Sequence, residues 1–273
     1  MTTRSDQPKH GYDQPYAYFD SPLMRQLRQE AYGEDIGQHS WVVVEELRSD
    51  IGRLALSPSS RVLDVGCGPG GPLGFLLKAG GCSGTGIDIS AAALDAARAR
   101  ARSLGIEAQL SVCQADIDEV LPLADRSFSA AVSLDVILHA RDRSQIFREI
   151  ARLLSPGGKF LFTDAGVLTG SISDEEMAAR SVHGFTQLCP PGFNERMLDS
   201  AGFTLLHTED RTAGLLANAA GRITARNAHR AELERLEGKD TCDRQLRYLN
   251  SVLALSRRGA LSRVMYFAEN GRP

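Results

Sequence analysis

The residues with the clearest chemical meaning lie close together, in Val62-Leu63-Asp64-Val65-Gly66-Cys67-Gly68-Pro69-Gly70-Gly71. An apolar strand running into a glycine turn ahead of a helix lets the backbone close on a ligand, because glycine carries no Cβ to hold it off. Gly66, Gly68 and Gly71 satisfy G-x-G-x-x-G, a pattern that dinucleotides also use. Twenty residues after Gly68 stands Asp88, where an acidic side chain accepts hydrogen bonds from ribose hydroxyls. Asp64 precedes the glycines; its carboxylate suits a ligand amino group and would sit badly beside a pyrophosphate. Asp116 follows a third apolar run, placed to read an adenine amino group, with Ile117 beside it for apolar contact. Together these residues outline a ligand with an amino-acid end, a ribose and an adenine.

The elements that must position them alternate between strand and helix from about residue 58 to 165. Strands are predicted at 61–65, 84–89, 108–113, 128–134 and 159–163. Between them run helices: one with Pro72 in its first turn and Gly80-Gly81 at its end, another capped by Ser90 and ended by Gly105. A third carries Ile146, Phe147, Ile150, Leu153 and Leu154 on one face. Repeated βαβ units imply an α/β fold, a parallel sheet with helices on both faces, whose ligands bind at the carboxyl ends of the strands near the switch point. Residues 166–190 read as a segment without strand character. A short helix at 193–200, a strand at 203–209, two long helices at 214–236 and 240–258, and a last strand at 263–269 follow. Three parts are expected: an N-terminal helical cap segment at 1–57, the ligand-binding core at 58–165, and at 166–273 cap insertions with the last two strands.

In order and spacing, DVGCGPGG at 64–71, GIDIS at 86–90, QADI at 114–117 and LLSPGGKF at 153–160 resemble the class I, Rossmann-like methyltransferases. The resemblance implies a seven-stranded, mostly parallel sheet with its last strand antiparallel. It also implies S-adenosylmethionine as cofactor, held near Asp64, Gly66, Cys67, Gly68, Asp88, Ile89, Asp116, Ile117 and Leu134. Ahead of the core, YGEDIG at 32–37 and QHSW at 38–41 are similar to small-molecule enzymes of this class, the sugar O-methyltransferases and the sarcosine or phosphoethanolamine N-methyltransferases. In these the N-terminal helices fold over the cofactor, which implies Tyr18, His39 and Trp41 at the substrate, with an aromatic patch that holds the cap to the core as the alternative. His139 matches the second histidine of a pair found after the fourth strand in sugar O-methyltransferases, while Leu138 stands where the first would be. Asp164 matches an acidic residue near the acceptor. His139 and Asp164 are therefore the candidate catalytic residues, His139 as base or positioning group, with a helix-capping role as its alternative.

Composition narrows the classes. A net charge of −3 over 273 residues gives no general positive field for nucleic acid or an anionic membrane. The basic stretches at 97–102 and 222–230 read as solvated helix faces. Five scattered cysteines, Cys67, Cys82, Cys113, Cys189 and Cys242, read as free thiols of a reducing compartment. No metal-ligand spacing appears, residues 1–10 lack the apolar core of a signal peptide, and a cytoplasmic location is expected. The acceptor is expected to be a small molecule, with neither nucleic acid nor membrane as a partner. A nicotinamide-dependent oxidoreductase and a non-catalytic binding protein are the alternatives.

Overall fold

A computed structural model describes residues 13–181 and 184–271; residues 1–10 therefore lie outside the described residues. Three helices lead in: α1 Asp13–Ala17, α2 Pro22–Tyr32 and α3 Val44–Leu54. The core then runs β1 Arg61–Val65, α4 Gly71–Gly80, β2 Ser83–Asp88, α5 Ala91–Leu104, β3 Leu110–Gln114, β4 Phe128–Leu134, α6 Arg143–Leu153 and β5 Leu154–Leu168. After it come α7 Asp174–Arg180, α8 Phe193–Ser200, β6 Phe203–Asp210, α9 Thr212–Ala228, α10 Arg230–Glu237, α11 Lys239–Arg257 and β7 Leu261–Asn270.

The seven strands form one sheet in the order β3-β2-β1-β4-β5-β7-β6. β7 runs antiparallel to both its neighbours and the other pairs are parallel. The strand order reverses between β1 and β4, which puts the switch point beside the glycine turn. Period-two alternation divides the apolar residues between two layers. Leu63, Val65, Phe160 and Phe162 pack with Phe147 and Ile150 of α6, whereas Val62, Val132 and Leu161 pack with Leu73, Leu76 and Leu77 of α4.

Local chemistry explains the best-defined boundaries. The Ser90 side chain accepts from Ala93 N, and Gly105 at φ 68° ends α5. Gly81 at φ 61° does the same for α4. Three expectations need correction. Residues 166–190, expected to lack strand character, begin with the end of a strand: pairing with β7 carries β5 on to Leu168, and after it a Ser173/Glu176 capping box starts α7. The long helix expected at 214–236 breaks at His229, where the chain turns so that Leu233 can join Leu27, Ala225 and Leu246 in a separate apolar cluster. The basic stretches are not simply solvated. Arg100 donates to Pro69 O and pairs with Asp20 at 2.9 Å, and Arg226 is buried against Glu237.

The N-terminal helices and the helices inserted between β6 and β7 close over the carboxyl end of the sheet. α2 packs on α9 so tightly that a Cβ at Gly221 would meet Ala31 O at 2.4 Å. Trp41 shares an apolar cluster with Leu215, Leu249 and Val252. No helix among the described residues is long and apolar enough to cross a membrane. All five cysteines are free.

Candidate active site

The glycine turn is shaped by the need to pass close beneath its neighbours. Gly66 has φ 77°, and a Cβ there would meet the Val136 side chain at 2.5 Å. The turn is tied down at both ends. Gly66 N and Cys67 N donate to Ile87 O at 2.8 and 2.9 Å, and Gly68 N donates to Asp88 Oδ2 at 2.9 Å. Gly71, the third glycine of the pattern, serves the cap instead, since a Cβ there would meet the backbone of Ile36 and Gly37 at 2.4 Å.

Above this turn lies a cavity of about 230 Å³. All nine residues expected to hold the cofactor line it: Asp64, Gly66, Cys67, Gly68, Asp88, Ile89, Asp116, Ile117 and Leu134. Asp64 is 2% exposed. Burial and the neighbouring Asp88 push its carboxyl up to about 8, so at neutral pH it is largely protonated, and a cationic ligand group beside it would favour its ionisation. Burial also raises Asp88, against the amides of Ser90, Gly68 and Ile89 that favour its charged form. Asp116 accepts from Asp118 N at 3.0 Å, which fixes the loop after β3. These residues fit a ligand of the outlined kind: a buried acid for an ammonium, a carboxylate for ribose hydroxyls, and an acid next to an apolar residue for adenine.

The other half of the wall comes from the cap and from the end of β4. His139 closes a single helical turn, Ile137–His139, and its Nδ1 lies 2.9 Å from Phe185 O. A proton on Nδ1 donated to that carbonyl leaves Nε2 as the acceptor nitrogen. Burial lowers the imidazole to about 4, with Arg180 adding to the shift. His39 lies 3.3 Å from Tyr16 OH, and burial together with Arg222 and Arg28 lowers it to about 3. Both histidines are thus neutral acceptors across the neutral range. Trp41 lines the same space, its amide donating to Asp135 Oδ2 at 2.9 Å.

Two expected residues are placed elsewhere. Tyr18 lines a smaller adjoining cavity of about 70 Å³, its hydroxyl donating to Glu237. Asp164 does not line the main cavity and is fully buried. It continues the alternation of Phe160 and Phe162 onto the face covered by α6 and α8. There Oδ2 accepts from Arg143 at 2.5 Å and Asn194 at 2.9 Å, and Oδ1 from Gly166 N at 2.7 Å. Direct contact with an acceptor is therefore not what this geometry offers Asp164.

Sequence reasoning missed Tyr16, Asp135, Arg180, Arg222 and Tyr248, all in the cavity wall. Asp135 follows Leu134 at the carboxyl end of β4, so position alone could have found it; it also holds φ 61°, a strained conformation for a non-glycine residue. The others sit on helices whose orientation only the cap packing decides. Among the described residues no cluster of side chains could hold a metal ion.

Fold and cavity together define a Rossmann-like α/β protein with a nucleoside-type site at the switch point. Residues 63–162 match the family described as methyltransferase domain, and it is in this core that the chain resembles the class I methyltransferases. It is 37% identical over 164 residues to Methyltransferase GfsG of Streptomyces halstedii, covering 58% of each chain. To the glycine/sarcosine/dimethylglycine N-methyltransferase of Actinopolyspora halophila it is 30% identical over 177 residues, 65% of this chain and 31% of that one. The chain thus spans less than two thirds of either relative's length. The crystal structure of the [4+2]-cyclase SpnF superposes with a TM-score of 0.74 at 21% identity, covering 96% and 95% of the two chains.

Proposed function

We propose that this chain transfers a methyl group from S-adenosylmethionine to an oxygen or nitrogen of a small molecule, a specialised metabolite, in the cytoplasm. The observation that carries the reading is the joining, in one cavity, of the glycine turn, Asp64, Asp88 and Asp116 with His139 and the cap residues His39 and Trp41. The cofactor's sulfonium supplies an electrophilic methyl group. The chain's own residues hold and orient. Asp64 receives the amino group, Asp88 the ribose, and Asp116 with Ile117 the adenine, while the cap excludes water and presents the acceptor for in-line approach. His139, neutral, accepts a hydrogen bond from the reacting O–H or N–H, and Asp164 supports that wall from behind through Arg143. The shared fold of a cyclase is a reminder that architecture alone does not choose the chemistry.

Thermal unfolding with S-adenosylmethionine, S-adenosylhomocysteine and NAD in parallel tests the cofactor. A ligand at 100 times its dissociation constant adds about 2.7 kcal/mol of stability. Protection by the two S-adenosyl ligands alone is expected, followed by gain of one methyl group in an acceptor screen read by mass. Protection by NAD alone would overturn the proposal, and binding without transfer to any acceptor would leave a binding protein in its place.

His139→Ala is expected to lower kcat by about 10²-fold or more, the usual worth of a positioned acid–base group, with S-adenosylhomocysteine affinity within about threefold of wild type. The pH profile carries a sign. Burial disfavours the imidazolium and brings its pKa down to about 4. In the free enzyme His139 therefore stays unprotonated as pH falls through about 6.5, where an ordinary histidine would charge. The acid limb of kcat/KM should lack an inflection near that pH. A limb near 6.5 that disappears in His139→Ala would refute the buried, neutral assignment.

A further inference from the structure

Both carboxylates and arginines line the main cavity. The carboxylates gather at the ends of β1, β2, β3 and β4, and two of them have arginine partners: Asp118 with Arg141 at 3.6 Å and Asp135 with Arg263 at 2.8 Å. The cap side presents Arg180, at the end of α7, and Arg222, from α9. Neither is ion-paired to a carboxylate among the described residues. Among those residues six arginines are buried. Five of them have a carboxylate partner: Arg28 with Asp35, Arg143 with Asp164, Arg211 with Asp50, Arg226 with Glu237 and Arg263 with Asp135. Arg180, 2% exposed, is the exception.

Isolated burial of a cation is costly, and proteins normally offset it with a counter-charge. Arg180 is only partly satisfied. Nη1 donates to Tyr248 OH at 3.2 Å and Nη2 to Ala165 O at 3.1 Å, while the buried Nε meets no acceptor. Its guanidinium lies over the Tyr248 ring at 5.3 Å, and that of Arg222 over the Trp41 ring at 5.0 Å. The two rings are themselves 5.9 Å apart. Two cations thus flank one aromatic pair in the wall of the cavity. Stacking on aromatic faces holds each guanidinium in place without cancelling its charge, and leaves in-plane N–H groups for a planar or tetrahedral oxyanion.

We propose that Arg180 and Arg222 recognise an oxyanion, a carboxylate or a phosphate group, carried by the methyl acceptor, with Trp41 and Tyr248 packing against the body of that molecule. This inference rests on the methyltransferase reading and names the class of its substrate: anionic at one end, with its nucleophilic oxygen or nitrogen toward His139.

The test uses the full chain saturated with S-adenosylhomocysteine. Inorganic phosphate and acetate are titrated at ionic strength matched with sodium chloride, following thermal unfolding and the emission of Trp41, the sole tryptophan. A saturable response to at least one of the two ions is expected, and which ion gives the tighter response separates phosphate from carboxylate. Arg222→Met should weaken that response by about tenfold or more, the usual worth of a charge-assisted hydrogen bond, while leaving S-adenosylhomocysteine affinity unchanged. Arg180→Gln should act in the same direction; if it does not fold, Arg222→Met, at a half-buried position, decides alone. No response beyond that of sodium chloride, or an undiminished response in Arg222→Met, overturns the inference. Weaker S-adenosylhomocysteine binding in Arg222→Met also overturns it, because the arginines would then serve the cofactor's own carboxylate. Failure of the wild-type chain to bind S-adenosylhomocysteine at all sinks the methyltransferase reading, and this inference with it.

Discussion

Asp88→Ala is expected to weaken S-adenosylmethionine and S-adenosylhomocysteine binding by about a hundredfold or more, and methyl transfer at limiting cofactor by a similar factor. A hydrogen bond to a charged group is worth about 1.5–3 kcal/mol, and the upper end alone is roughly a hundredfold. Two losses coincide at this residue. The ribose acceptor disappears, and so does the carboxylate that now holds Gly68 N at 2.9 Å and Ser90 N at 2.9 Å. Without the first of these bonds the glycine turn loses one of its two fixed ends. The fold should survive, because Ser90 caps α5 through its own hydroxyl and β2 remains paired on both sides. Asp88→Asn retains one carbonyl acceptor and should fall between wild type and the alanine variant. Calorimetric titration with S-adenosylhomocysteine measures this; an affinity within threefold of wild type for Asp88→Ala would remove the residue from the cofactor site.

The half of the cavity around the glycine turn was readable because its determinants are local. A strand of period two, a glycine turn and a capped helix fix where Gly66, Gly68 and Asp88 stand from neighbouring residues alone, and β4 was placed with both ends correct. Asp164 shows where local reading stopped short. Its position just after the strand predicted at 159–163 was visible, and the alternation Phe160, Phe162, Asp164 was already in the sequence. What fills the facing layer, Arg143 and Asn194, depends on how α6 and α8 pack. The cap side of the cavity was the least legible. Arg222 and Arg226 lie four residues apart on α9, as charges on a solvated face do, yet α2 and α11 pack against that helix and bury them to different depths. No periodicity within α9 encodes what arrives from the far end of the chain.

Arg263→Met is expected to be the most destabilising single change at the site, about 3–5 kcal/mol, the usual cost of removing one partner from a buried ion pair. Arg263 is fully buried on β7, and its guanidinium joins three elements: Nε donates to Asp135 Oδ1 at 2.8 Å, Nη1 to Glu46 Oε2 at 2.6 Å and Nη2 to Thr163 Oγ1 at 3.3 Å. Methionine fills much of the volume but leaves Asp135 without its cation. Glu46 keeps only Arg211, at 3.8 Å. At about 2–4 °C per kcal/mol for a chain of this size, the midpoint of thermal unfolding should fall by on the order of 10 °C. The effect should reach the cavity, because the other oxygen of Asp135 holds Trp41 N at 2.9 Å and with it the entry of the chain into the cap. An uncompensated Asp135 draws water to that point, so the emission of Trp41, 4% exposed in the folded protein, should shift to longer wavelength. Adding Asp135→Asn to Arg263→Met neutralises the stranded carboxylate and should restore part of the lost stability, since the asparagine carbonyl still accepts from Trp41 N. A drop in midpoint of less than about 2 °C in the single variant, or no recovery in the pair, would mean that packing rather than this ion network holds the cap on the sheet.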